Sequence, residues 1–81
     1  MTVLEKQTLA IEQGHPNETE ELVRKALEEG VDPVVLVEDV MVPVMREVGE
    51  KYKKQQVDIP GILSSARSVQ KGFQEIGRAH V

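Results

Sequence analysis

The sequence predicts an all-α fold, a small four-helix bundle, and three observations carry that expectation. Its 81 residues suffice for one domain, whose unfolded surface would be only about 60% buried on folding, too little to enclose an active site. One Tyr, one Phe and no Trp leave Val, Leu, Ile and Met to build the core, which suits packed helices better than a β-sandwich. Apolar residues also recur at helical spacing, most strongly as Val37, Val40, Met41, Val44, Met45, Val48 and Tyr52.

Helix one should cover about residues 2–13, with Leu4 and Ile11 on one stripe, Thr8 interrupting it and Gly14 ending it. So weak a pattern predicts a short helix with fraying ends. Helix two is expected over about 17–29, because Asn17 followed by Glu20 matches a capping box and Leu22, Val23, Ala26 and Leu27 form one face. Gly30 suits a left-handed stop with Val31 folded back on the last turn, and Asp32 and Pro33 supply a cap and a first position for the next helix. Helix three then takes about 33–54. Pro43 should kink or split it, since its ring removes a donor and clashes with the carbonyl four residues back. Gly49 costs about 1 kcal/mol against Ala in a helix interior, which packing or function must offset. After a polar turn, Pro60 opens helix four, about 60–76, with Ile59, Ile62, Leu63, Ala66, Val69 and Phe73 expected as its buried side. No repeat, low-complexity tract or linker interrupts residues 1–74.

Composition excludes several functions. A net charge of −4 argues against nucleic acid as a partner, which would need clustered Lys and Arg. Lys51, Lys53 and Lys54 come nearest to a basic patch, but they fall where a helix dipole favours cations. The absence of Cys excludes disulfides and thiolate metal sites. Neither a signal peptide nor an apolar run of about 18 residues is present, so a soluble, cytoplasmic protein with no membrane partner is expected. No set of residues requires a catalytic site: His15 beside Pro16 reads as a solvated turn residue, and His80 lies in the tail. The acidic runs Glu18, Glu20, Glu21 and Glu28, Glu29 read as solvent-facing, because a carboxylate metal cluster would need inward Glu paired with His. Neither a phosphate-binding loop nor a nucleophile elbow appears. On residues and spacing alone, Tyr52, Ile59, Ile62 and Leu63 read as plain core.

At Leu27, Glu28, Glu29, Gly30, Val31, Asp32, Pro33, and again from Met41 to Arg67, the chain resembles the helical cap domain of cobalamin-binding methyl-carrier proteins. That family includes the cap of cobalamin-dependent methionine synthase and the corrinoid proteins of methanol, methylamine and related methyltransferase systems. Its pattern runs as an apolar residue, Pro, a Met, then Val, Gly, Glu, an aromatic two places on, a polar turn, and an apolar residue with Pro opening the last helix. Residues 8–74 follow this order, with Gly30, Gly49 and Pro60 on pattern. The family's bundle lies over the upper face of the corrin ring and shields the methyl-cobalt bond from water. The resemblance therefore implies cobalamin as the cofactor of the intact protein and Tyr52, Ile59, Ile62 and Leu63 as its cofactor-binding lid. It also implies a module that is no enzyme by itself.

Two departures stand out. Tyr52 replaces the commoner Phe, adding a hydroxyl that must reach solvent or a partner, and Asp58 stands where an aromatic or aliphatic residue is usual. Related light-sensing regulators carry Trp at the aromatic position and a Glu, His pair on the last helix. Tyr52, Ile62 and Leu63 occupy those places here, which favours a methyl-transfer cap over a sensory one.

The domain reading is a cap over residues 1–74. In the family, the cobalt-binding His lies in an Asp, x, His, x, x, Gly motif of a following α/β domain, which is missing from this chain. That domain and methyltransferase subunits are the implied partners, and no tight cobalamin binding is expected of the fragment. Glu75, Ile76, Gly77, Arg78, Ala79, His80, Val81 matches a common short-read sequencing adapter read as codons, GAG ATC GGA AGA GCA CAC GTC. Residues 75–81 are accordingly expected to be a non-native tail, with Gly77 closing the helix and no role in the bundle. A competing reading is a stand-alone interaction module that binds a partner helix on its Met41, Met45, Tyr52 face.

Overall fold

The protein is described by a computed structural model covering residues 1–79. Four helices and no strand make up these residues, as the sequence predicts. Helix α1 (Val3–Glu12) opens on a reciprocal cap: the Glu5 N–H donates to the Thr2 hydroxyl at 3.2 Å, and the Thr2 N–H donates to the Glu5 carboxylate at 3.1 Å. This gives α1 a fixed start that its weak apolar pattern did not suggest. It closes at Gly14, φ +71°, where the His15 N–H donates to the Ala10 carbonyl at 2.8 Å.

Helix α2 (Pro16–Glu28) starts one residue earlier than expected, and the capping box at Asn17 and Glu20 does not form. The fixed φ of Pro16 suits the first helical position, which places Asn17 inside the helix. Its end follows expectation, with Gly30 at φ +89° and the Val31 N–H donating to the Ala26 carbonyl at 3.0 Å. Asp32 then caps the third helix, accepting from the Val34 N–H at 2.8 Å.

Helix α3 is continuous in three parts: an α turn at Pro33–Val35, a π segment at Leu36–Met41, and an α segment at Val42–Lys53. Pro43 does not break it, for Met41 and Val42 keep helical dihedrals. Instead the turn before Pro43 widens, and the Val42 N–H donates to the Val37 carbonyl five residues back. A π segment absorbs a residue with no N–H and a bulky ring without unwinding the helix. Helix α4 (Ile59–Ala79) is capped by Asp58, whose carboxylate accepts from the Gly61 N–H at 2.8 Å. That cap gives a polar residue at 58 its structural reason.

The core comprises Ala10, Ile11, Val23, Ala26, Leu36, Val40, Met41, Val44, Val48 and Val69. Helix α4 packs most extensively on α2, and only in part through its expected face, of which Val69 is buried and Ile62 partly so. Its buried positions are Ser65, Ser68, Val69, Gly72 and Glu75, with Ile62 and Ile76 partly buried. Ile59, Leu63, Ala66 and Phe73, expected inside, are exposed. Small side chains let the α4 backbone approach closely: a Cβ at Gly72 would stand 2.6 Å from the Met41 methyl. The larger apolar stripe is thereby turned outward.

Glu20, expected to face solvent, is half-buried between Arg24 at 3.6 Å and Lys71 at 3.9 Å. The helix also continues through Gly77 to Ala79, and Glu75 and Ile76 take part in the bundle. This corrects the expectation that the segment closes at Gly77 and plays no part. His80 and Val81, the rest of the expected tail, lie outside the described residues.

Candidate functional site

The α3 stripe that buries Val44 and Val48 drifts toward solvent at its last member. Tyr52 is 41% exposed, and after the turn Ile59 and Leu63 are 59% and 55% exposed on successive turns of α4. Three of the four residues that the resemblance singled out are therefore not core, while Ile62 is partly buried against it. An open concavity joins α3 to α4, lined by Tyr52, Lys53, Gln55, Gln56, Val57, Asp58, Ile59 and Pro60. The fold thus brings Tyr52 and Ile59 to one corner. Leu63 sits one turn beyond Ile59, and neither it nor Ile62 lines the concavity itself.

The turn was read from sequence only as a connection, yet it supplies half of this lining. Gln55 has φ +61° and occupies the left-handed position that Gly fills in the other two turns. The Gln56 N–H donates to the Lys51 carbonyl at 2.8 Å, which fixes the turn. Gly49 lies one turn before Tyr52, and a Cβ there would meet nothing within 4 Å. Packing inside the chain therefore does not explain it.

Charged neighbours at the corner are engaged. Lys53 pairs with Glu50 at 3.4 Å, and the Asp58 carboxylate is bonded to the Gly61 N–H. His15 is exposed, as expected, with its ring 3.2 Å from Glu18. No group of three or more His, Cys, Asp or Glu able to hold a metal occurs among the described residues. Farther along α4, Arg24 and Glu75 pair at 3.0 Å and Arg78 approaches the same carboxylate at 3.3 Å. The hydrogen bond from Arg24 holds the Glu75 carboxyl below the usual carboxylate range, against the opposing effect of burial. This pair joins α2 to α4 and lies outside the corner.

Tyr52 and Ile59 give the corner an apolar floor, Leu63 extends it, and the edge carries amides and a hydroxyl. Such a surface can cover a flat apolar ligand and exclude water. The B12 binding domain family matches residues 3–76. The chain belongs to that family.

Curated relatives of this B12 binding domain agree with the assignment. It is 37% identical over 57 residues to the trimethylamine corrinoid protein of Methanosarcina barkeri, covering 70% of this chain and 26% of that protein. Trimethylamine corrinoid protein 1 of Methanosarcina acetivorans is 34% identical over 56 residues, and protein 2 of Methanosarcina mazei 36% over 56; each match covers 69% of this chain and 26% of the relative. The chain thus spans about a quarter of the length of these relatives. No solved structure matches it. The corner fits a corrinoid as a cover and not as a metal holder: its lining offers apolar carbon, amides and a phenol, and its one carboxylate is already bonded as a helix cap. No described helix is long and apolar enough to cross a membrane.

Proposed function

We propose that this B12 binding domain is the cap module of a corrinoid methyl carrier. It covers the upper face of bound cobalamin, with Tyr52, Ile59, Ile62 and Leu63 as the lid. Cobalamin, when bound, supplies a cobalt-held methyl group for transfer. The chain's own part is to keep water from that group and to present no competing ligand, so catalysis rests with partner proteins. The observation that carries this reading is the exposure of Tyr52, Ile59 and Leu63 at one corner of a chain with few large apolar residues to spare. A cytoplasmic protein completed by an α/β cobalamin domain and served by methyltransferase subunits is the setting in which such a cap works.

Titration of the chain with methylcobalamin, followed by amide NMR signals, tests the proposal. Signals of Tyr52, Ile59 and Leu63 should move, with a dissociation constant weaker than micromolar because one face of the cofactor is left uncovered. Movement confined to other helices would overturn the lid, and micromolar or tighter binding would overturn the partial character of the site.

A second reading, a helical interaction module, loses the expected Met41, Met45, Tyr52 face because Met41 is buried in the core, but is favoured by Phe73, which is 47% exposed on the same α4 stripe. Ile59 and Phe73 are separated by about 21 Å of helix at 1.5 Å per residue, so the stripe runs well beyond the corner. A protein partner that perturbs Phe73 and leaves Tyr52 and Ile59 unmoved would support this reading over the cap.

A further inference from the structure

We infer that Gln55 and Gln56 form a hydrogen-bonding rim to the apolar corner, one that recognises the primary amides on the edge of a bound corrinoid. The inference rests on the cap reading above and adds residues that the lid does not include. Both glutamines line the concavity together with Tyr52 and Ile59. Their backbone N–H groups close the turn, to Tyr52 at 3.0 Å and to Lys51 at 2.8 Å, which holds the two residues at the rim. The charged side chains there are occupied, Lys53 by Glu50 and Asp58 by the Gly61 N–H.

Backbone conformation adds an independent argument. Gln55, at φ +61°, is the one non-Gly residue with positive φ among the described residues, whereas Gly14 and Gly30 fill the equivalent position after α1 and α2. A side chain in the left-handed region costs roughly 1–2 kcal/mol, and Gly would remove that cost. No hydrogen bond from the Gln55 side chain to another described residue offsets it. Strained residues of this kind collect at ligand clamps.

The chemistry matches as well. Acetamide and propionamide groups fringe a corrin ring, and each can both donate and accept. A glutamine amide does the same, so one contact satisfies both partners where a lysine or a carboxylate would satisfy half. Tyr52, Ile59 and Leu63 cover the flat apolar part of such a ligand and leave its amide fringe to be met by the turn.

The same methylcobalamin titration, repeated on Gln55→Gly and Gln56→Ala chains, tests the rim. The glutamine side-chain NH2 signals should move in the unsubstituted chain, and each substitution should weaken the dissociation constant by about threefold or more, as expected for loss of a neutral hydrogen bond. Gln55→Gly should at the same time raise the thermal midpoint, so its loss of affinity cannot come from unfolding. Corner signals that move with unchanged affinity in both variants would overturn the rim and leave the cap reading standing. If Tyr52, Ile59 and Leu63 do not move at all, the cap reading fails and the rim fails with it.

Discussion

Replacing Gly14 by Ala should destabilise the bundle by about 2–5 kcal/mol, and the structure separates that loss into two parts. Gly14 has φ +71°, and placing a side chain in that region costs about 1–2 kcal/mol. The new methyl would also stand 2.5 Å from Ser64 Cβ and 3.4 Å from the Ser64 carbonyl carbon. Neither atom is the far end of a flexible chain, so α4 or the turn must shift, and overpacking of this kind costs about 1–3 kcal/mol. Gly30 is the internal control. Its φ is +89° and nothing lies within 4 Å of the Cβ position, so Gly30→Ala should show the backbone cost alone, about 1–2 kcal/mol. Urea unfolding followed by far-UV circular dichroism measures both, and in a domain of this size each kcal/mol moves the thermal midpoint by about 4–8 °C. Adding Ser64→Gly removes one contact partner, so the double variant should be more stable than the sum of the two single losses predicts. Equal losses for Gly14→Ala and Gly30→Ala, or strict additivity with Ser64→Gly, would refute the contact between the first turn and α4.

Three further substitutions test other particulars. Gln7 is fully buried and neither end of its side-chain amide has a partner among the described residues, so Gln7→Leu should gain about 1–3 kcal/mol in a denaturation experiment; a loss would mean that the amide is satisfied in solution. Gly49→Ala should stabilise the isolated chain by roughly 0.5–1 kcal/mol, because a methyl there meets nothing, and a destabilised variant would place an unseen neighbour against α3. Glu75 has its carboxyl held below the ordinary 4.5 by Arg24, so its contribution is present above that value and is lost as pH falls through the lower folded value. Glu75→Gln should therefore flatten the acid limb of the stability curve, and an unchanged limb would show that the Arg24 pair does not couple to folding.

Most of the architecture was legible because local signals and packing agreed. Gly30, Asp32 and Pro33 are read directly as stop, cap and start, since each has one conformation that it serves best. The α3 stripe was equally clear: Val40, Met41, Val44 and Val48 face inward and no competing stripe exists on that helix. The failures came where two local signals competed. Asn17 and Glu20 make a capping pattern, but Pro16 sets the start first. On α4 the sequence carries one apolar stripe and one small-residue stripe, and periodicity alone chose the larger side chains. The bundle chose Ser65, Ser68 and Gly72, because a close helix approach gains contact along the whole backbone. Tyr52 and Ile59 were singled out as a candidate site only through the family resemblance, and the proposed rim of Gln55 and Gln56 not at all, since a left-handed glutamine leaves no mark in a pattern of polar turn residues.

That choice on α4 bears on function. Burying a side chain such as Ile59, Leu63 or Phe73 is worth about 1.5–3 kcal/mol, and the folded chain forgoes about half of it at each. Close to Ile59 two more local costs appear, a helical Gly49 with open space beside it and a left-handed Gln55. Sequences tend to satisfy propensity, patterning and packing together except where a site requires otherwise. Several departures gather in one stretch, Gly49 to Leu63, with Phe73 and the helical Gly77, which also meets nothing within 4 Å, lying beyond it; Gly14, Gly30 and Gly72 are each explained by a turn or a close approach inside the chain. A ligand outside the chain, as the proposed cap role requires, would account for a surface that accumulates exposed apolar area, an unexplained glycine and a strained polar residue. On the cap reading proposed above, that ligand is a corrin face, met by apolar carbon at Tyr52 and Ile59 and by the amides of Gln55 and Gln56 at the edge.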